Sequence, residues 1–269
     1  MSVPDGARGL VERLLARRDP AWDPACRPPP RELAPGLLAI DRRILLPGGV
    51  AMPTRAVAVA LPAGGLAVAS PVPLDPELER TLAARGGVRA LLAPGSFHHL
   101  ALRAWAKAFP DAEVWLAPGL ATRRPELPAG RVLGDATAEP AVLAPVLDSV
   151  VYGPVRGVAE VALFHRPTRS LLLTDALFHL TRARGARERW LFRALGVWGR
   201  LATSRTARYA LLGDRPRVRA FADALIALEP ERLVPAHGEP LEGDVAGALR
   251  TAFADFGPAR PAAATRPSA

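Results

Sequence analysis

Short apolar runs, each bounded by glycine, proline or polar residues, form the main pattern along this chain. Runs of this length, rich in valine, leucine and alanine, predict buried strands. We expect strands at 56–61, 66–70, 88–93, 113–117, 146–153, 158–164, 170–174 and 232–236. The first two flank the residues Pro-Ala-Gly-Gly, which predicts a hairpin with glycine in its turn.

Longer amphipathic stretches lie between these runs and predict helices. We expect helices at 74–87, from about Phe97 to before Pro110, at 216–230 and at 242–256. The first is closed by two glycines, as helices commonly are. Strands that both adjoin and alternate with helices favour an α/β or mixed α+β fold. Periodicity alone leaves an open sheet and a two-sheet sandwich as alternatives.

The two ends of the chain differ from the middle in composition. Residues 20–36 are proline-rich, which predicts that residues 1–36 form an extended N-terminal arm. The tail, 257–269, is rich in alanine, proline and arginine, and we expect it to be disordered. The chain between these ends is long enough for one large globular domain.

Composition indicates the class of protein and its compartment. No apolar run approaches the roughly 18–20 residues that span a bilayer. The N-terminus is charged and lacks the apolar core of a signal peptide. Cys26 is the single cysteine, so an intramolecular disulfide is excluded. We therefore expect a cytoplasmic protein.

Positive charge is concentrated in one segment. The formal net charge is +9, and residues 182–219 hold eleven arginines against Glu188 and Asp214. One interpretation is the solvated face of a packed helix. A second is a lid whose arginines hold the phosphate or carboxylate of a substrate. A third is docking at a membrane surface, because Trp190 and Trp198 lie among the arginines, and a fourth is nucleic-acid binding.

Three predicted strands end in residues that can bind a metal. His98 and His99 follow the strand at 88–93, Asp175 follows 170–174, and His237 follows 232–236. Strand ends gather at one edge of a sheet, where α/β folds place their sites. Imidazole and carboxylate together suit Zn²⁺, iron or Mn²⁺. The pattern predicts a metal site at this edge. Ser70, at the end of another strand, is interpreted as a turn residue, because the chain has no Gly-x-Ser-x-Gly motif.

The order of these motifs resembles the metallo-β-lactamase superfamily. The matching motifs are Pro94-Gly95-Ser96-Phe97-His98-His99, then "LLLTDALF" ending at Phe178, then "LVPAHGEP" containing His237. The resemblance runs from about Leu37 to Phe256 and is greatest to an uncharacterised branch with a Pro-Asn-x-x-His-His motif. It implies a four-layer αββα sandwich over residues 37–256, with a basic helical insertion at about 180–220.

The chain departs from the superfamily motif HxHxDH in an informative way. Pro94 and Ser96 fall where the first two histidines belong, while His98 and His99 fall on the Asp and the final His. The later strand histidine should lie near 155–160, where the chain has none, and His165 is too close to Asp175 to match it. The resemblance therefore implies that the first metal position is lost.

The remaining ligands imply one divalent metal, zinc or iron, at the second position. Its ligands would be His98, His99, Asp175 and His237. Asp175 is also a candidate for orienting an activated water, and His165 is a weaker candidate for a catalytic role.

Two functions follow from this interpretation. One is a metal-dependent hydrolase in which the metal lowers the pKa of water that attacks a small, anionic substrate. The other is a catalytically inactive binding or scaffold protein, at a membrane surface in one version. Superfamily relatives that process nucleic acids keep the full motif, so nucleic acid is the least favoured partner. The sequence names neither a substrate nor an oligomeric state.

Overall fold

The structure is a computed structural model that describes residues 21–46, 49–135, 142–155, 157–210 and 214–256. The first 20 residues of the predicted arm and the predicted disordered tail lie outside the described residues. The rest of the arm lies along the first sheet, where two short strands of residues 21–34 pair with a longer neighbour. Its proline-rich composition therefore gives extended backbone that adds to a sheet edge.

The first sheet contains eight strands from the N-terminal half of the chain. Their order is β1-β3-β4-β5-β6-β7-β8, and β2 also pairs with β3. Pairs from β3 to β5 are antiparallel, and pairs from β5 to β8 are parallel. The strands are β1 (Ala21–Trp22), β2 (Arg31–Ala34), β3 (Leu37–Leu46), β4 (Val50–Ala60), β5 (Leu66–Ala69), β6 (Val88–Ala93), β7 (Glu113–Leu116) and β8 (Arg131–Val132).

The second sheet contains five strands in the order β15-β14-β11-β10-β9. β11 and β14 are parallel neighbours, with Leu173 opposite Pro235, so both end at the same edge of the sheet. A separate two-stranded ribbon pairs β12 with β13. The strands are β9 (Leu147–Val155), β10 (Val158–His165), β11 (Ser170–Leu173), β12 (Phe178–His179), β13 (Leu201–Ala202), β14 (Arg232–Pro235) and β15 (Leu241–Glu242).

Seven α-helices are described. Aspartates cap three of them: Asp75 accepts from Leu78, Asp214 from Arg217 and Asp244 from Gly247. Single 3₁₀ turns lie at Arg166–Thr168 and Ala254–Phe256. The helices are α1 (Pro76–Ala83), α2 (Leu102–Ala108), α3 (Leu120–Arg123), α4 (Ala186–Ala194), α5 (Arg205–Ala210), α6 (Arg215–Ala227) and α7 (Val245–Phe253).

Alternating side chains divide the interior into layers. Ala67 and Leu92 of the first sheet meet Val161 and Leu172 of the second in one apolar cluster between the sheets. The intervening residues of the first sheet pack against Leu78 and Trp105 of α1 and α2. The outer face of the second sheet packs against α6 and α7, where Phe221 and Leu249 are buried. The four-layer αββα sandwich predicted from the sequence is confirmed.

The basic segment contains more than one helix. α4 and α5 flank the strand β13, and the first residues of α6 complete the stretch. Phe192 of α4 is buried in a small apolar cluster with Met52, Phe178 and Leu180. None of the helices in the described part of the chain is long and apolar enough to cross a membrane.

Candidate metal centre

Three of the predicted ligands converge where strands of the two sheets end. His98 comes after β6 of the first sheet, and Asp175 and His237 follow β11 and β14 of the second. One ligand atom from each of these side chains lies within 4.8 Å of the other two. The two histidines are buried, and Asp175 is nearly so. We call His98, Asp175 and His237 the metal group.

The carboxylate of Asp175 lies between the two imidazoles. Its Oδ2 is 3.4 Å from Nε2 of His98, and its Oδ1 is 3.4 Å from Nε2 of His237. Burial alone would raise the pKa of Asp175, but the adjacent imidazoles outweigh it and hold that pKa below its ordinary value. Asp175 is therefore an ionised carboxylate at neutral pH, as a metal ligand must be.

His237 is fixed from three sides. Its Nδ1 donates to the carbonyl of Pro53 at 2.8 Å, and its ring stacks on Phe178 with centroids 4.7 Å apart. The buried guanidinium of Arg55 donates to the carbonyls of Pro235 and Gly238, on either side of His237. The first sheet, through β4, thus orients a ligand that the second sheet carries.

His98 is oriented by Ser70, which follows β5. The Ser70 hydroxyl forms a short hydrogen bond with Nδ1 of His98, and both side chains are buried. Ser70 adopts left-handed backbone with φ of 61°, a conformation that is unfavourable for residues other than glycine. Sequence reasoning interpreted Ser70 as a turn residue and missed this contact, which depends on packing between β5 and β6.

Glu160 on β10 is a buried carboxylate that sequence reasoning also missed. Its oxygens accept the backbone N–H groups of Thr174 and Asp175, at 2.6 and 3.1 Å, and the Thr174 hydroxyl. Burial, reinforced by the charge of Asp175, raises the pKa of Glu160 to about 7. Glu160 therefore fixes the backbone that presents Asp175. Its signal in the sequence is one acidic residue inside the apolar run at 158–164.

The segment before His98 is joined to β10. Pro94 accepts from the Val161 N–H at 2.6 Å, and Ser96 exchanges hydrogen bonds with the backbone of Ala159. Between them, a Cβ on Gly95 would lie 2.6 Å from Oγ1 of Thr174, so only glycine fits there. This pairing also explains why α2 begins at Leu102 and not near Phe97, since Gly95 still pairs with β10 and residues 96–101 must turn.

Two other predicted site residues lie apart from the metal group. His99 is buried, and its Nε2 is 2.6 Å from Nη1 of Arg124. His165 ends β10, five residues from Glu160, which corresponds to roughly 16 Å along a strand. Its Nδ1 contacts Oγ1 of Thr168 at 2.7 Å, and burial lowers its pKa. The structure brings neither histidine to Asp175.

Three observations indicate that the metal group is suited to bind a divalent ion. Oδ2 of Asp175 is buried and has no hydrogen-bond partner among the described residues. Bonds of about 2.0–2.1 Å in tetrahedral geometry place two ligand atoms roughly 3.4 Å apart, and both nitrogen–oxygen separations here are 3.4 Å. Two histidines and one carboxylate are a donor set typical of zinc and of non-haem iron.

The sequence was compared with known protein families and with curated proteins. The family described as Domain of unknown function (DUF4336) matches residues 41–186. No curated protein matches the chain.

Solved structures of metallo-β-lactamases share the architecture. DIM-1, in a crystal exposed to ceftazidime, has a TM-score of 0.57 at 11% identity, over 86% of this chain and 99% of its own. FIM-1 from Pseudomonas aeruginosa, in its mono-zinc form, has a TM-score of 0.56 at 10% identity, over 84% and 95%. The enzyme from Erythrobacter litoralis has a TM-score of 0.51 at 17% identity, over 84% and 89%. These likenesses confirm the predicted metallo-β-lactamase fold.

Proposed function

We propose that this protein is a hydrolase that depends on one divalent metal ion. The chain belongs to the DUF4336 family and has the metallo-β-lactamase fold. His98, Asp175 and His237 would hold the ion, and zinc or ferrous iron suits these donors. The substrate would be a small molecule, and an anionic one if the arginines of residues 182–219 contact it.

The observation that carries this proposal is the tautomer of His237. A backbone carbonyl only accepts hydrogen bonds, so the contact to Pro53 requires a proton on Nδ1 of His237. A neutral His237 then presents the lone pair of Nε2 to a carboxylate oxygen of Asp175, 3.4 Å away. Two electron-rich atoms at this separation need a cation between them, either a second proton or a metal ion.

Each residue of the site would contribute a defined part of the chemistry. When bound, a zinc or iron ion supplies Lewis acidity and lowers the pKa of water towards neutrality. His237 offers Nε2 because Pro53 holds its other nitrogen, and Ser70 accepts from Nδ1 of His98 when Nε2 of that ring is a ligand. Glu160 holds the backbone of Asp175, and the carboxylate of Asp175 would orient an attacking water. The ring of Phe178 shields one face of His237 from solvent.

A single ion, not a pair, is supported by the segment at 94–96. Pro94 and Ser96 occupy the positions of two ligands in the superfamily motif, and both are committed to hydrogen bonds with β10. Gly95 is packed against Thr174 between them. FIM-1, which shares this fold, is described in a mono-zinc form, so the fold is compatible with one ion.

The metal proposal is tested by elemental analysis and calorimetric titration of the purified protein with Zn²⁺ and, without oxygen, Fe²⁺. We expect about one ion per chain in the wild type. The affinity of His237→Ala for the ion should be less than a tenth of the wild-type affinity. His165→Gln is the matched control, because it removes an imidazole that lies outside the metal group, and it should bind like the wild type. His99→Ala distinguishes three protein ligands from the four predicted from the sequence. Absence of stoichiometric metal in the wild type refutes the proposal.

The second candidate function is an inactive scaffold. The geometry of the metal group favours it if a proton, and not a metal ion, lies between His237 and Asp175. A protonated His237 beside Asp175 is a buried ion pair that stabilises the turn without catalysis. Under this alternative, the wild type supplied with Zn²⁺ or Fe²⁺ hydrolyses no ester, lactone, thioester or phosphodiester faster than His237→Ala does. Turnover of any of these compounds by the wild type, lost in His237→Ala but not in His165→Gln, excludes the scaffold.

A further inference from the structure

The outer face of α4 presents a tryptophan among arginines. Trp190 is 70% exposed, and Val132 is the other large apolar side chain that is exposed among the described residues. Arg187, Arg189 and Arg193 lie beside it on the same short helix, and all three are exposed. We call these four residues the α4 surface. A single exposed apolar side chain is common on protein surfaces, so Trp190 is informative here because it stands among exposed arginines.

The charge of this surface is not neutralised within the described part of the chain. Glu188 is the one acidic residue from 181 to 200, and it is buried and paired with Arg184 at 2.8 Å. The three arginines of the α4 surface have no ion-pair partner among the described residues. The α4 surface therefore carries three positive charges without an ion-pair partner among the described residues, around one exposed apolar side chain.

The helix that carries this face is firmly attached. Phe192, on the opposite side of α4, is fully buried with Phe178, Leu180 and Val197. The apolar side of α4 is therefore already buried without Trp190, so Trp190 is not needed for the packing of this helix. A rigid helix that exposes one indole and several guanidinium groups is pre-organised for a planar anionic partner.

We infer that the α4 surface docks onto anionic phospholipid bilayers. Tryptophan rings prefer the headgroup level of a bilayer, and arginines near an anionic leaflet add electrostatic attraction. Single-stranded nucleic acid is usually bound by several aromatic side chains along a positively charged groove. Here one aromatic side chain stands on a short helix, so a lipid surface is the better match. Docking does not require the metal ion, and its test is independent of the proposed function.

The test is sedimentation with vesicles at physiological salt. Vesicles of equal parts phosphatidylcholine and phosphatidylglycerol should bind the wild type, and pure phosphatidylcholine should not. The triple variant R187Q/R189Q/R193Q should lower the partition coefficient on the order of a hundredfold, and Trp190→Ala by about tenfold. Binding should also shift tryptophan emission to the blue, and Trp190→Phe should abolish that shift.

The matched control is R80Q/R85Q/R103Q, which removes the same charge. These three exposed arginines lie in and after α1 and in α2, outside the α4 surface. The control should bind vesicles within about threefold of the wild type, because its α4 surface is intact. Equal loss in both triple variants would show attraction by net charge only and overturn the inference. So would a wild type that ignores anionic vesicles, or that binds a single-stranded oligonucleotide more tightly at the same salt.

Discussion

Ser70 illustrates how one residue combines strain with positioning. Its left-handed backbone costs about 1–3 kcal/mol for a side chain with a Cβ. Glycine would remove this cost, yet glycine has no hydroxyl to hold Nδ1 of His98. Serine at a position that favours glycine is explained if the hydrogen bond that orients His98 offsets the free-energy cost of the left-handed backbone. Sequence alone does not reveal it, because neither the sign of φ nor the neighbour of the hydroxyl is written in the local pattern.

Replacement of Ser70 separates the two effects. Ser70→Ala and Ser70→Gly both remove the hydroxyl, and we expect each to weaken Zn²⁺ affinity by about 10- to 100-fold. In the metal-free state Ser70→Gly should be more stable than Ser70→Ala by about 1 kcal/mol, because only glycine relieves the strain. Calorimetric titration and chemical unfolding measure the two quantities. Unchanged affinity in both variants would contradict the role assigned to Ser70.

At the scale of elements, the ends of strands are tied across the two sheets. Arg55 on β4 forms an ion pair with Asp41 on β3 at 2.7 Å and donates to the turn that holds His237. Most strands and helices after residue 56 could be predicted, because they are short apolar runs and amphipathic stretches with clear caps. β3 was not predicted, because the charged residues 41–43 interrupt its apolar run. Long-range ties such as Arg55 to Gly238 could not be, because they join residues far apart in the chain.

Asp75 makes a similar tie at the start of α1, and its contribution should depend on pH. It caps the helix through Leu78, and it pairs at 2.8 Å with Arg42, which is buried on β3. Burial opposes ionisation, but the Leu78 N–H and Arg42 outweigh it and lower the pKa of Asp75. A lowered pKa means that its stabilisation is present above the ordinary value near 3.8 and is lost as pH falls through the folded value.

We therefore expect Asp75→Asn to lower the free energy of unfolding by about 3 kcal/mol at neutral pH, since Arg42 loses its buried partner. Asparagine keeps most of the helix cap, so the loss reports mainly on the ion pair. The difference between variant and wild type should shrink as pH falls below about 4. Urea unfolding at a series of pH values measures it. A difference that is constant over this range would show that the charge of Asp75 does not matter.

At the scale of the whole molecule, the sandwich assembles a site that no single element contains. The order of motifs was enough to predict the fold, and three of the four ligand candidates that it singled out lie together in the structure, because strand ends in this fold meet at one edge. It was not enough to separate His98 from His99, which are adjacent in the chain. The structure separates them because one ring turns towards Ser70 and Asp175, while the other faces Arg124.

Because the metal group draws on both sheets, a bound ion should stabilise the whole domain. An ion that binds only the folded state at a hundredfold excess over its dissociation constant adds about 2.7 kcal/mol. For a chain of this size that corresponds to a rise in Tm of roughly 5–10 °C. We expect this rise with Zn²⁺ for the wild type and for His165→Gln, and none for His237→Ala. Mg²⁺ should have no effect, because it prefers oxygen ligands in octahedral geometry. Equal stabilisation of His237→Ala by Zn²⁺ would place the ion elsewhere, since His237 is then not needed to hold it.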